Sequence, residues 1–386
     1  MHLNFNINIR MKFIVSRNLL YQNLSAISGV VASNPSLAIL DNFLFTVEGQ
    51  ELTLTASDLE TTMSAVIELT NVEGEGTVAV PSKILLETLK LIPETPVVFA
   101  FDLENNVLKF TAANGEYDSP CHPGNEFPQI TPIENPSSFE IEANVLYRAV
   151  NKTLFATGND ELRPNMTGVL CELSSEYITF AATDAHKLVR FRSAKVKTDD
   201  FTSFILPKKP LAQLKNTLDS VKEPVKVSYS SETNHIQFTF DNIMLFSRLK
   251  EGKFPNYEAV IPTDNPNVLV VDKDDFLKSI RRVGIFSSQS TYQVRMELSE
   301  ENIHITAEDI DFSNKAEENI SGAYTGEVMA IGFNSKFLRE ILENMDTKDI
   351  RIEMSQPNRA AILLPSEEAD PDETLLMLIM PVILGN

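Results

Sequence analysis

Tryptophan is absent from the 386 residues, cysteine occurs only twice and histidine five times. Cys121 and Cys171 cannot build a disulfide framework or a thiolate zinc cluster, and so small a thiol content suits a reducing cytoplasm. The histidines, at positions 2, 122, 186, 235 and 304, show no HxxxH-like spacing, so no metal site is expected. GxxxxGK, GxGxxG and GxSxG motifs are missing, which removes the usual signs of phosphoryl transfer, dinucleotide binding and serine hydrolysis. No paired catalytic carboxylates can be placed, and neither a catalytic residue nor a cofactor is expected. No apolar run reaches the ~20 residues of a membrane span, and the opening MHLNFNINIR lacks the basic start and apolar centre of a secretory signal. A regular amphipathic pattern begins only at Met11, so residues 1–10 read as an N-terminal extension.

What the chain does contain is one layout repeated three times. Amphipathic segments follow a strand-like start in FIVSRNLLYQNLSAI from Phe13, FEIEANVLYRAVNKTLF from Phe139 and VLVVDKDDFLKSIRRVGIF from Val268. Each copy then has a strand ending at an acidic corner, LTLTASDLE, ITFAATDAH and IHITAEDID, which sets Asp58, Asp184 and Asp309 at intervals of 126 and 125. A second helix follows in VAVPSKILLETLKLI, FILPKKPLAQLKNTL and MAIGFNSKFLREILENM, where Pro81 and Pro207 suit a first helical turn and Phe333 takes that place in the third copy. The pair Phe127-Pro128 recurs as Phe254-Pro255. Polar, proline-containing stretches near Asn135-Pro136 and Asn265-Pro266 divide the copies. The expected domains are 11–136, 137–264 and 265–386. Units of this length hold cores of their own, unlike the short repeats of a solenoid. Strands outnumber helices, so the class is α+β. The carboxylates Asp272, Asp274 and Asp275 are expected to cap the helix that follows them.

Charge is segregated. The formal net charge is -21, a mean that disfavours an anionic partner. Six helical segments, 17–32, 82–92, 144–157, 208–219, 274–286 and 335–346, nevertheless hold 13 basic against 7 acidic residues, while the other 308 positions hold 20 basic and 47 acidic. Helices on one surface and sheets on the other would give a positive face for a phosphate backbone, without sequence readout. Arg148, Lys152, Lys208, Lys209, Lys215, Lys278, Arg281 and Arg282 are its candidate contacts.

With its repeats, basic helices and acidic exterior, and the phrases KFIVSRNLL, ATDAHKL, EGKFPNYEAVIP and LIMPVIL in order, the sequence resembles the bacterial DNA polymerase III beta subunit, the beta sliding clamp, from residue 11 to 384. The resemblance implies three domains of the clamp fold in a head-to-tail homodimer. The ring encircles duplex DNA, helices inside and sheets outside, and tethers the replicative polymerase, the clamp loader and repair proteins through short peptides. For the peptide pocket it implies Met166, Thr183, His186, Lys187, Leu188, Pro255, Ala259, Val260, Asn334, Phe337, Asn358, Ala360, Leu378, Ile379, Met380, Pro381, Val382 and Leu384. It adds Lys83 and Asn34 to the DNA face, Asn34 standing where the family often has Arg, and sets Tyr117 and Ser119 opposite Phe286 and Ser287 at the subunit interface. Ala185-His186-Lys187 replaces a frequent Gly-His-Arg, and Ala259 a frequent Arg, which makes the pocket rim smaller and less basic. The rival reading is an acidic, triplicated protein-binding scaffold that encircles nothing.

Overall fold

The computed structural model describes residues 11–31, 36–129, 132–160, 162–199 and 201–384. The first repeat comprises β1 (Met11–Ser16), α1 (Arg17–Ser28), β2 (Asn42–Glu48), β3 (Glu51–Ser57), β4 (Thr61–Glu68), β5 (Asn71–Glu73), β6 (Gly76–Pro81), α2 (Ser82–Leu91), β7 (Pro96–Asp102), β8 (Val107–Ala112), β9 (Gly115–Pro120) and β10 (His122–Pro123). The second comprises β11 (Ser137–Glu142), α3 (Ala143–Thr153), β12 (Gly168–Leu173), β13 (Ile178–Thr183), β14 (Lys187–Ser193), β15 (Thr202–Pro207), α4 (Lys208–Thr217), β16 (Pro224–Ser230), β17 (His235–Phe240) and β18 (Ile243–Arg248). The third comprises β19 (Asn267–Asp272), α5 (Lys273–Val283), β20 (Gln293–Leu298), β21 (Ile303–Asp309), β22 (Asn314–Ile320), β23 (Ala323–Thr325), β24 (Met329–Asn334), α6 (Ser335–Glu343), β25 (Asp349–Met354), β26 (Ala361–Pro365) and β27 (Glu373–Ile379). This is an α+β architecture in which, among the described residues, each repeat carries two α-helices.

The chain folds into two compact units whose borders do not follow the repeats: residues up to Asn144 with Lys209–Leu249, and Val145–Lys208 with Lys250 onward. The first unit holds a five-stranded sheet, β5-β1-β7-β8-β9, and a nine-stranded sheet, β10-β6-β2-β3-β4-β18-β17-β16-β11. β4 of the first repeat pairs antiparallel with β18 of the second, from Ala65↔Ile243 to Thr61↔Ser247. Alternation along β1, β2, β7 and β8 turns Phe13, Phe45, Phe99, Phe101 and Phe110 inward, where their rings pack at centroid distances of 5.2 to 6.3 Å. α1 is capped by Ser16, which accepts from Leu19 N, and buries Leu20, Leu24 and Ile27 against β3 and β4.

In the second unit the nine-stranded sheet runs β15-β12-β13-β14-β27-β26-β25-β19-β23, and the four-stranded one β22-β21-β20-β24. Here β14 of the second repeat pairs with β27 of the third over seven positions, Lys187↔Ile379 to Ser193↔Glu373. Asp272 caps α5 as expected, accepting from Asp275 N. Asp274 and Asp275 in the first turn and Arg281 and Arg282 in the last complement its dipole.

Two of the three acidic corners are the same turn. Asp58 Oδ1 accepts from the N–H of Glu60 and Thr61, and Asp184 Oδ1 from those of His186 and Lys187. Leu59 and Ala185 stand at matching places with φ of 80° and 76°, values uncommon outside glycine. Asp309 departs from the pattern: it ends β21 buried, before a longer turn. Pro81 and Pro207 are also displaced from expectation, closing β6 and β15 just ahead of their helices instead of lying in the first turn. At an edge of hydrogen bonding the missing N–H is tolerated, and the fixed φ aims the chain into the helix.

Candidate functional site

The second unit contains every residue expected at the peptide pocket. Its centre is the seam between β14 and β27. Leu188 lies opposite Leu378 and Lys187 opposite Ile379, and Met380 N donates to His186 O at 2.8 Å, prolonging the seam by one rung. Across β26, Ala361 pairs with Ile379 and Ile362 with Leu378. Leu188, Ala360 and Leu378 join one buried cluster with Phe254 and Tyr257. Thr183 is spent on the turn: its hydroxyl donates to Lys187 O at 2.7 Å and accepts from Ala185 N.

Around this seam stands an aromatic and ionic corner. The His186 ring stacks on Phe337 at 5.2 Å. Lys187, only 4% exposed, lies 4.8 Å from the Phe337 centroid, with its ammonium 2.5 Å from Asp184 and 3.0 Å from Glu340. A buried cation held between two carboxylates and a ring face is fixed in direction. Asn334 holds Phe337 from below: its side chain caps α6, accepting from Lys336 N and Phe337 N, and donates to Thr291 O. The tail then leaves β27 for the free edge of β24, where Val382 N donates to Gly332 O at 2.8 Å. Met380 and Val260 are 41% and 55% exposed, apolar side chains open to a partner. Ala259 and Asn358 are exposed as well, Asn358 in the turn before Ala360. Met166 is half-buried, its carbonyl accepting from Gly158 N at 2.8 Å. Leu384 and Pro381 are likewise half-buried.

A recess of about 720 Å³ in the same unit shares only Pro255 with the expected set. It lies between the loop 252–258 and β12, β13 and β15, with Tyr257 Oη donating to Glu172 at 2.6 Å, and Arg192 stacked on Tyr177 and paired with Glu258 at 2.5 Å. Composition gave no sign of it, because its walls come from two stretches far apart in sequence, residues 170–205 and 252–258.

Several of the cations expected at the DNA face have partners within the protein. Lys152 is 6% exposed, and its ammonium donates to Asn344 O at 2.8 Å and Asp346 at 2.5 Å. A buried cation with two of its three donors spent within the protein is poorly placed to bind phosphate. Arg148 forms a bidentate pair with Glu373. Arg281 pairs with Glu343 at 2.8 Å, Arg282 with Glu318 at 2.6 Å, and Lys278 reaches Asp275 at 3.5 Å. The Glu318 carboxyl is held below its ordinary range, chiefly by the hydrogen bond from Arg282. In the first unit, Lys209 donates to Asp58 at 2.6 Å and to Val30 O at 2.7 Å. Lys208 bonds Asn159, and burial together with Lys187 and Lys250 lowers its pKa. Among the described residues no hydrogen bond or ion pair engages Lys83 or Lys215. Asn34 lies outside the described residues.

Of the expected interface residues, Tyr117 and Ser119 lie on β9, an edge of the five-stranded sheet, with Tyr117 stacked on Phe110 at 4.9 Å. A recess of about 680 Å³ adjoins them, walled by Ile84, Leu91, Ile92, Pro93 and Tyr117. Phe286, 40% exposed, and its neighbour Ile285, 73% exposed, project from the short helix Gly284–Phe286, which packs on β21 and β22. Ser287 is buried, its hydroxyl donating to Gly284 O.

Among the described residues no group of three or more His, Cys, Asp or Glu could hold a metal ion, and no helix is long and apolar enough to cross a membrane. Repeated α+β modules joined by sheet seams are the architecture of a sliding clamp. The comparisons with known proteins agree. The N-terminal, central and C-terminal domains of the DNA polymerase III beta subunit match residues 11–131, 140–256 and 258–382 in turn, and the chain belongs to that family. The beta sliding clamp of Pseudomonas putida is 29% identical over 377 residues, 97% of this chain and 100% of the relative. That of Escherichia coli K12 is 28% identical over 342 residues, covering 89% and 92%. The structure superposes on the Pseudomonas aeruginosa sliding clamp bound to griselimycin with a TM-score of 0.90, at 28% identity, covering 97% and 100% of the two chains. For the Thermotoga maritima beta subunit the TM-score is 0.89 at 25% identity, with the same coverage. The chain is a non-catalytic processivity subunit of DNA polymerase III.

Proposed function

We propose that two copies close head to tail into a ring around duplex DNA and tether the replicative polymerase, the clamp loader and repair proteins, in the cytoplasm. The observation that supports this reading is likeness over nearly the full length: a sliding clamp of known structure is matched at a TM-score of 0.90 over 97% of the chain. β9 with Tyr117 and Ser119 would meet the Phe286–Ser287 region of the second copy. Lys83 and Lys215 would supply sequence-independent phosphate contacts, weakened by salt. A partner peptide would seat apolar side chains on the Met380, Val260 and Phe337 surface. Anchors of that kind dominate peptide affinity.

Retention on nicked circular DNA, followed by gel filtration in the presence of a clamp loader, tests the ring. Linearising the circle is expected to release the protein by end-sliding. Equal retention on circular and linear DNA would rule out topological binding and favour a scaffold that encircles nothing.

A further inference from the structure

We infer that the two edges which close the ring repel each other electrostatically and are held by an apolar seat, so that the dimer tightens as ionic strength rises. This rests on the head-to-tail reading above. β9 and β22 are each the last strand of their sheet, offering unpaired backbone groups to a second copy. Along the exposed side of β9 stand Glu116 and Asp118. One cation, Lys109 of β8, serves both, at 3.8 and 3.7 Å. Along β22, Lys315 pairs with Glu317 at 3.3 Å and sits across the ladder from Glu308, and Asp311 follows in the exposed turn. Each strip is therefore net negative. The nearest cations of α5 do not offset this, because Arg282 is held by Glu318 and Arg281 by Glu343. On α2 the exposed Glu87 at the recess faces two exposed lysines, Lys83 and Lys90, so the helix carries one cation in excess while the strand strips themselves stay net negative.

Like charges facing across paired strands are destabilising. What draws the edges together must then be apolar. The recess beside β9, with the exposed Ile84 and Leu91 in its wall, and the projecting Ile285 and Phe286 beside β22 have the shapes of a seat and its knob. Apolar burial changes little over moderate salt. Repulsion between exposed charges fades once the screening length drops to about 10 Å, near 0.1 M. A closed ring has two such joints, so the effect acts twice.

Sedimentation equilibrium of the full chain at 30 and 300 mM NaCl tests this. The dimer Kd is expected to fall by about threefold to tenfold at the higher salt, the order set by a few screened pairs. Glu116→Lys with Asp118→Lys should tighten the dimer at 30 mM and invert the trend, so that salt now weakens it. Glu116→Gln with Asp118→Asn should flatten it, and circular dichroism confirms that each variant is folded. A wild-type dimer that weakens with salt, or a charge-reversed one that shows no inversion, overturns the inference and leaves the ring standing. A protein that is monomeric at every salt concentration, or that dimerises unaltered as Phe286→Asp, overturns the head-to-tail reading and the inference with it.

Discussion

Gly332 and Val382 meet so closely that no side chain fits between them: a Cβ on Gly332 would stand 2.8 Å from Val382 O and 2.7 Å from Leu384 Cδ2. The glycine thus lets the tail lie along the edge of β24, carrying Met380 and Pro381 into place over the β14–β27 seam.

Gly332→Val should lift the tail without touching the ring edges. A partner-derived peptide is expected to lose affinity by about thirtyfold, as for a hot spot of ~2 kcal/mol. Deleting Val382 to Asn386 should do the same. Fluorescence anisotropy and sedimentation together check the pair of outcomes. Peptide affinity within twofold of wild type would misplace the pocket, and loss of the dimer would make the tail structural.

Lys187 offers a second test of the corner. Lys187→Met leaves Asp184 and Glu340 facing each other with no cation, and removing one member of a buried pair is costly; with Glu340 40% exposed, about 2 kcal/mol is expected. Lys187→Arg should recover most of it. Urea unfolding reads the stability and anisotropy the peptide. A Met variant as stable as wild type would show that the cation is dispensable.

On the DNA side, Lys83→Gln and Lys215→Gln should each lower the slope of log affinity against log salt by roughly 0.9. Lys152→Met should leave that slope unchanged and cost about 1–2 kcal/mol of stability through two lost hydrogen bonds. The reverse pattern, a slope that responds to Lys152 alone, would place the DNA on another surface.

Both thiols are expected to be inert. Burial pushes Cys121 up to about 11 and Cys171 higher still, with Asp102 and Glu172 adding to the shifts. The thiolate is the reactive form, so at pH 8 neither should titrate with a disulfide reagent in the native protein, and both should after unfolding in guanidinium. Rapid reaction of one thiol under native conditions would expose an opening of that core.

The triplication was legible because helix and strand periods recur at one interval, and Asp58 and Asp184 announce a turn whose chemistry is local. The capping of α5 by Asp272 was equally local. Lys152 shows where such reading stops: a lysine in a basic helix looks solvated until a carboxylate 194 positions later is folded onto it. The docking corner has no signature of its own, since His186, Phe337 and Met380 are ordinary residues whose meeting is a fact of tertiary structure; only the resemblance singled them out. The seams escaped notice for the same reason. β4 and β18, or β14 and β27, carry no mark that each is the other's neighbour.

Those seams bear on how such a chain can come apart. A linker joins domains that could be parted by one proteolytic cut, but here the joints are ladder rungs. Excising the middle repeat would uncover β4 on one side and β27 on the other, two long bare strand margins of the kind that recruit stray chains into aggregates. Limited digestion between repeats should accordingly yield nicked protein that stays associated in native buffer. An insertion or loss of a whole repeat during evolution would have to reseal both margins at once, a stitching constraint that favours keeping the number of modules fixed while their surfaces diverge.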